Sequence, residues 1–169
     1  MTDEGTGATI VLSKQHRSIQ SKIDALLDEL RNERPTIPIA SLVSRLGEEL
    51  LAHLAVEEAI FYPAARRALA GHDGEDGRHD HLLVRLRLRG VLKGSVTGES
   101  LTEPVLALRR AFARHVHLEE TKVFPHVERE LTAPVLTALG ALLSVKPTIR
   151  TVEPGSTSDP RGVRARRVA

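Results

Sequence analysis

The sequence predicts an all-α protein, an up-down-up-down antiparallel four-helix bundle with a short fifth helix and a disordered C-terminal tail. Hydrophobic residues make up 41% of the 169 residues and aromatic residues only 2%, so Leu, Val, Ile and Ala must form the core. That composition favours packed helices over a β-sandwich, which relies on aromatic and β-branched residues. Four long segments also carry apolar residues at helical spacing. Short polar segments join them, as in an antiparallel bundle.

The first two helices follow from their apolar stripes and from proline. The first helix is expected from Thr9 to about Arg31, and Pro35 lies just beyond its end. Its apolar positions are Leu12, Ile19, Ile23, Leu26, Leu27 and Leu30. A second helix begins near Pro38, since proline suits a first helical turn. Pro63 lies inside this second apolar segment and should kink or loosen it.

Two glycine-containing segments, GHDGEDG (71–77) and GSVTGES (94–100), predict loops on either side of a third helix. That helix is expected from about Arg78 to Lys93. Its VRLRLRG segment alternates like a strand, but no partner strand is apparent, so a helix is the better prediction. The fourth helix follows from residue 101, and a fifth short helix is expected from Thr132 to near Ser144.

Composition divides the chain into a bundle, residues 1–145, and a basic tail rich in Pro, Gly and Arg, residues 146–169. The tail holds six basic and two acidic residues and few large apolar ones, which predicts disorder. The absence of Cys excludes disulfides, Cys-ligated zinc and iron–sulfur clusters. Neither a signal peptide nor a membrane-spanning apolar segment is recognisable, so a cytoplasmic protein without a membrane partner is expected.

One segment occurs twice. HLAVEEAIFYP (53–63) and HVHLEETKVFP (115–125) align without a gap and share His, Glu, Glu and Pro at the same places. The two copies lie on the second and fourth predicted helices. Each half of the bundle is therefore expected to be a helix pair, and the halves repeat.

Six polar residues interrupt the apolar stripes of the four helices. A His and a Glu four residues apart lie about 40° apart around a helix and one turn apart along it, so both reach one point. A carboxylate directed into a core is costly unless it is paired or bound to a metal. The first and third helices each add one His on the buried stripe. The candidate metal ligands are His16, His53, Glu57, His81, His115 and Glu119.

Imidazole and carboxylate together suit iron, manganese or zinc. Carboxylates that bridge two ions are a recurrent device of helical bundles. Four His and two bridging Glu around two six-coordinate ions and a bridging oxygen leave about two positions open for a small molecule. A manganese or mixed-metal site fits the same residues. So does a metal-free network of buried, paired His and Glu.

These residues resemble the hemerythrin-like family, also called the HHE cation-binding domain. The resemblance rests on His16, the two duplicated segments and the Asp80-His81 pair, and covers about residues 9–130. It implies a four-helix bundle around a non-haem di-iron centre of the Fe-O-Fe type, with an oxo or hydroxo bridge. In that centre the His residues anchor the irons, and Glu57 and Glu119 bridge them.

The resemblance further implies binding of, or reaction with, a small oxidant: O2, H2O2 or NO. Oxygen-carrying members supply two His from the third helix as HxxxH. Here Arg85 stands four residues after His81, and Gly77 stands four residues before it. The missing second His favours redox chemistry with peroxide or nitric oxide, such as a catalase-like, peroxidase-like or NO-handling role in oxidative stress. A metal-dependent sensor or interaction module without turnover is the alternative function.

Three further residues are candidates for the metal or its surroundings: Tyr62, His79 and Glu120. Tyr62 precedes the predicted kink, and its phenol could donate a hydrogen bond near the site or bind iron. Glu120 stands five residues after His115, where oxygen-carrying relatives place a carboxylate ligand.

The basic residues of the third helix and the tail lack interleaved aromatics, so no nucleic-acid partner is expected. The sequence leaves the oligomeric state open.

Overall fold

The computed structural model describes residues 7–68, 74–97 and 100–144. Within these ranges the chain is helical and contains no strand, which confirms the predicted all-α class. None of the described helices is both long and apolar enough to cross a lipid bilayer. The predicted tail, 146–169, lies outside the described residues, so its disorder stays a prediction. The α-helices are α1 (Ala8–Arg31), α2 (Ile39–Val56), α3 (Tyr62–Ala68), α4 (Gly74–Thr97), α5 (Thr102–Leu118), α6 (Phe124–Glu130) and α7 (Ala133–Leu143).

The four long helices contact one another in a closed ring. Helix α1 packs against α2 and α5, and α4 packs against the same two helices from the other side. The short helix α7 returns to lie against α1. This ring places one face of each long helix toward a common interior, and the buried apolar stripes of all four helices meet there.

Both duplicated segments contain a π-helical turn, which their sequences did not predict. The turns span Glu57–Phe61 and Glu119–Val123. In each, the first backbone carbonyl accepts a hydrogen bond from the N–H five residues on, at Tyr62 and at Phe124. A proline follows directly in both copies and has no N–H to donate to the carbonyl four residues before it. The predicted kink is therefore realised as a widened turn within a continuous helix, a feature often found at functional sites.

The predicted bounds of the third helix were too narrow. Residues 74–77 and 94–97, expected in loops, belong to α4, whereas 71–73 and 98–99 lie outside the described residues. A Cβ atom at Gly94 would stand 2.8 Å from Cδ2 of Leu101, the residue that precedes α5. Gly94 is thus a helix residue that lets the next segment approach closely, and its presence did not signal a loop.

Two apolar clusters fill the interior at different levels. The larger cluster extends from residues such as Ile19 and Leu50 toward the α1–α2 turn. The smaller one holds Leu12, Phe61 and Phe124. Along α1, the buried residue between Leu12 and Ile19 on this stripe is His16. The candidate ligands therefore form a polar layer between two apolar ones.

Candidate metal centre

The four long helices and the two π-helical turns bring the six predicted ligand residues together. All six are buried, with at most 3% of their surface exposed. Helix α1 supplies one His, α2 and α5 supply one each near their C-terminal ends, and α4 supplies the fourth. The two Glu are the first residues of the π-helical turns. The set is His16, His53, Glu57, His81, His115 and Glu119.

Glu57 lies at the centre, and its two carboxylate oxygens face different His pairs. Its Oε1 is 3.2 Å from Nε2 of His53 and 3.7 Å from Nε2 of His16. Its Oε2 is 3.2 Å from Nε2 of His81 and 3.6 Å from Nε2 of His115. A carboxylate with one oxygen directed to each of two imidazole pairs has the orientation of a bridge between two ions.

Glu119 is oriented differently. Its Oε2 is 3.2 Å from Nε2 of His16 and 3.7 Å from Nε2 of His115. Its Oε1 accepts a 2.6 Å hydrogen bond from the hydroxyl of Tyr62. The same hydroxyl oxygen is 3.3 Å from Nε2 of His81. One oxygen of Glu119 thus faces the His cluster, while the other is held by the phenol.

The inward-facing atoms of the cluster have few hydrogen bonds. Within the described part of the chain, both oxygens of Glu57, Oε2 of Glu119 and Nε2 of His16, His53 and His115 are buried without a hydrogen-bond partner. Their separations of 3.2–3.7 Å are contacts, but they lack hydrogen-bond geometry. Buried polar groups without partners are costly. Metal ions among these atoms would remove that cost.

Two overlapping groups of four residues offer ligand atoms that all lie within 4.8 Å of one another. Both groups contain Glu57 and His115. The first adds His16 and His53. The second adds His81 and Glu119. The overlap at Glu57 and the chemistry of the donors, neutral imidazoles with carboxylates, fit a pair of adjacent ions of the iron, manganese or zinc type.

The outer ring nitrogens of three His are held by residues outside the cluster. Nδ1 of His53 donates to the side-chain oxygen of Gln15 at 3.0 Å, and Gln15 in turn donates to the backbone oxygen of Leu143 in α7. A proton on Nδ1 leaves Nε2 as the free donor atom for a metal. Sequence reasoning missed Gln15, because its role depends on a contact between helices.

The second Glu of each duplicated segment holds a His of the other half. Nδ1 of His81 donates to Oε1 of Glu58 at 2.8 Å, and Glu58 also accepts from Arg85 at 3.0 Å. Nδ1 of His16 donates to Oε1 of Glu120 at 3.0 Å. Because Glu58 and Glu120 each stand five residues after a His, the sequence predicted that both carboxylates are exposed. They are partly exposed, but each reaches back to a candidate ligand. The structure thus places Glu120 beside the ligand set, at an outer ring nitrogen.

The π-helical turns explain how the residues after them reach the site. In an α-helix, residues five apart are separated by about 140°. A π-helical turn brings residues five apart into register, so Tyr62 follows Glu57 onto the inner face. Its counterpart Phe124 stacks on His16, with ring centroids 5.8 Å apart and planes within 4°. Tyr62 packs against His81 at 5.2 Å. Each aromatic thus contacts a His of the other half.

The four aromatic residues of the chain gather at this level. Besides Tyr62 and Phe124, Phe112 lies 5.6–6.0 Å from the rings of three candidate His ligands. Phe61 packs against both Tyr62 and Phe124. The scarcity of aromatics in the sequence did not reveal that they concentrate around the site. They give the polar layer apolar, water-excluding walls.

Burial and mutual contact set the charges of the cluster. Burial lowers the pKa of His53 to about 4 and that of His115 to about 3, so both rings are neutral at pH 7. Burial opposes a charge on His16, but its close contacts with the carboxylates of Glu119 and Glu57 raise its pKa to about 10. Burial and the neighbouring Glu57 raise the pKa of Glu119 to about 7.

The pKa values of Glu57 and Tyr62 shift in opposite directions. Glu57 stays charged, whereas Tyr62 stays neutral. Burial would raise the pKa of Glu57, but its contacts with four His hold that pKa well below the usual range. Burial and the carboxylates of Glu119 and Glu57 raise the pKa of Tyr62, so the phenol keeps its proton. In the metal-free chain Glu57 is the central negative charge, and Tyr62 is a neutral donor.

Three nearby residues lie outside the cluster. His79 has an exposed side chain on α4, so the structure does not bring this predicted candidate to the other ligands. His117 is likewise exposed. Asp80 is 2% exposed and contacts Nε of Arg114 on α5 at 3.2 Å, which ties α4 to α5 next to His81. None of these three residues belongs to either four-residue group.

A family model described as the hemerythrin HHE cation binding domain matches residues 7–127, well over half of the chain. That range includes all six cluster residues, both π-helical turns and the residues that hold the outer ring nitrogens. Comparison with curated proteins gave no match, and comparison with solved structures gave none either. The chain belongs to the hemerythrin HHE cation-binding domain family.

Proposed function

We propose that this protein is a non-haem di-iron protein that binds or reacts with a small oxidant, O2, H2O2 or NO. The observation that carries the proposal is the position of Glu57, whose oxygens each face a separate pair of imidazoles. The ring of helix contacts supports the up-down-up-down bundle that the sequence predicts. A pair of irons would supply reversible one-electron chemistry and open positions for a diatomic molecule or peroxide.

The residues have separable roles in this proposal. His16, His53, His81 and His115 would hold the ions through Nε2, and Glu57 would bridge them. Glu119 would be the second carboxylate, with one oxygen toward the ions and the other accepting from Tyr62. The Tyr62 phenol would donate a hydrogen bond at the edge of the site, beside His81. The surrounding Phe rings would exclude water.

The contacts favour a metal site over a metal-free paired network. A buried network stabilises a protein only when its donors and acceptors are satisfied. Among the described residues, both oxygens of Glu57, Oε2 of Glu119 and Nε2 of three His lack hydrogen bonds. By contrast, Nδ1 of His53, His81 and His16 is held by Gln15, Glu58 and Glu120. Satisfied outer atoms around unsatisfied inner atoms are the pattern expected of ligands that are oriented toward ions.

Reaction of the iron-loaded protein with oxidants tests the proposal. The protein would be loaded anaerobically with Fe(II), mixed separately with O2, H2O2 and NO, and followed by its visible absorption and by oxidant consumption. Spectral changes with at least one oxidant, absent from a His53→Ala, Glu57→Ala double variant, would support it. Iron-loaded protein that shows no spectral change with any of the three would contradict it.

One contact favours the alternative, a metal-dependent sensor module. Gln15 joins His53 to the backbone of Leu143, near the C-terminal end of α7. Metal at His53 would thereby influence how α7 sits on α1. This function predicts a large metal-dependent change in protease sensitivity near residue 143, with negligible oxidant consumption. Equal cleavage of metal-free and loaded protein would exclude it.

A further inference from the structure

The two duplicated segments exchange contacts across the halves of the molecule. Glu58, in the first copy, holds Nδ1 of His81 in the second half. Glu120, at the equivalent place in the second copy, holds Nδ1 of His16 in the first half. Both carboxylates are partly exposed, 42% and 37%, so they lie between solvent and a buried imidazole.

Despite the repeat, the two carboxylates differ in their own partners. Glu58 also accepts a 3.0 Å hydrogen bond from Arg85, a salt bridge that offsets its charge. Among the described residues, no Lys or Arg pairs with Glu120, whose ion-pair contact is His16 alone. A carboxylate behind a ligating His raises the basicity of that ligand. Arg85 weakens this effect at His81, and no described Lys or Arg does the same at His16.

The remaining two His of the cluster add to the difference. His53, which shares Oε1 of Glu57 with His16, has its Nδ1 held by Gln15. His115, which shares Oε2 with His81, has no hydrogen-bond partner at Nδ1 among the described residues. Both imidazoles beside Oε1 therefore have their Nδ1 atoms held by a neighbouring side chain. Among the described residues, only one of the two imidazoles beside Oε2 is held in this way.

We propose that Glu58 and Glu120 are positioning residues for the two metal positions, and that these positions are unequal. The position at His16 and His53 binds metal first and more tightly. The position at His81 and His115 binds second and more weakly, because Arg85 offsets the charge of Glu58 and because no described residue holds Nδ1 of His115. This inference rests on the proposed di-metal function and assigns an order of loading to it.

Stepwise metal affinities of the full-length chain test the order. Fe(II) would be titrated anaerobically against a competing chelator, and Co(II) would serve as a spectroscopic probe of each step. Glu120→Gln is expected to weaken the tighter step about 10- to 100-fold, and Glu58→Gln to weaken the weaker step by a similar factor. Glu48→Gln is the matched control, since Glu48 is exposed and accepts from Ser44.

Arg85 gives an independent check of the inequality. Arg85→Gln leaves Glu58 with its full charge behind His81, so the two affinities should move closer together. Arg87→Gln is the control on the same helix, because Arg87 is exposed. Thermal melting of each metal-free variant shows whether it folds. Of the folded variants, Glu58→Ala and Glu120→Ala should lose more metal affinity than the corresponding Gln variants.

The outcomes separate this inference from the proposed function. Wild-type protein that takes up fewer than two ions contradicts the di-metal function itself. Two ions with steps unaffected by both Glu variants would overturn the positioning roles alone. Equal affinities in the wild type, both Glu variants acting on one step, or an unchanged gap in Arg85→Gln would overturn the inequality of the two positions.

Discussion

Tyr62 donates a 2.6 Å hydrogen bond to Oε1 of Glu119, and this contact joins the two duplicated segments at the candidate metal centre. Tyr62→Phe would remove the donor and leave that buried oxygen without a partner. A hydrogen bond to a charged group contributes about 1.5–3 kcal/mol. The metal-free variant should lose about this much free energy of unfolding, measured by urea denaturation above pH 7, where Glu119 with its pKa of about 7 is charged. A Phe ring should fit at position 62, because the equivalent position of the other duplicated segment holds Phe124. An unchanged free energy of unfolding would contradict the contact.

His81 and His79 provide a matched pair on one helix. His81 is 1% exposed and its Nε2 lies 3.2 Å from Glu57, whereas His79 is exposed. His81→Ala should lose at least one metal ion per chain, and His79→Ala should retain the full content. Elemental analysis of both purified variants provides the measurement. Loss of metal from His79→Ala would place that residue among the ligands, contrary to its position on α4.

Two glycines of α4 should respond differently to substitution by alanine. Nothing lies within 4 Å of a Cβ built at Gly90, whereas one at Gly94 would stand 2.8 Å from the side chain of Leu101. Gly90→Ala should stabilise the protein by about 1 kcal/mol through helix propensity. Gly94→Ala should gain less or lose stability, since Leu101 must move. Equal gains for both variants in thermal unfolding would show that Gly94 does not act as a packing residue.

The metal-free protein should be most stable near pH 6.5. Below that value the unfolded chain protonates His53 and His115, whose folded pKa values are about 4 and 3, so stability falls as the pH falls. The folded chain takes up a proton at Glu119, whose raised pKa is about 7, but this offsets only part of the proton uptake by the unfolded chain. Above pH 6.5 the folded chain retains protons on His16 (pKa about 10) and His81 (pKa raised) that the unfolded chain releases, so stability falls again.

Thermal melting between pH 5 and 9, with and without metal, measures this profile. In the metal-loaded protein His16 and His81 would carry no proton on the ligating nitrogen, so the fall in stability between pH 7 and 9 should disappear. A melting temperature of the metal-free protein that rises steadily from pH 6.5 to 9 would contradict the charges assigned to the cluster.

Periodicity in the sequence was sufficient to predict the six residues of the cluster, because each interrupts an apolar stripe of its own helix. Residues that act between helices were harder to predict. Glu58 and Gln15 do not lie on the buried stripes, and their roles depend on where a neighbouring helix places a His. The π-helical turns were also missed, since Pro63 and Pro125 indicate a disturbance of the helix but not its form. Tyr62 reaches the site only because of that turn.

The number of irons bound per chain is the most direct test of the proposed di-iron centre. Protein expressed with iron would be analysed for all transition metals, and its absorption spectrum recorded before and after addition of azide or peroxide. A di-iron centre predicts two irons per chain and near-ultraviolet bands that change with the added ligand. Protein without iron, or with a single zinc ion per chain, would contradict the di-iron centre and leave the cluster around Glu57 as a structural feature of the helices.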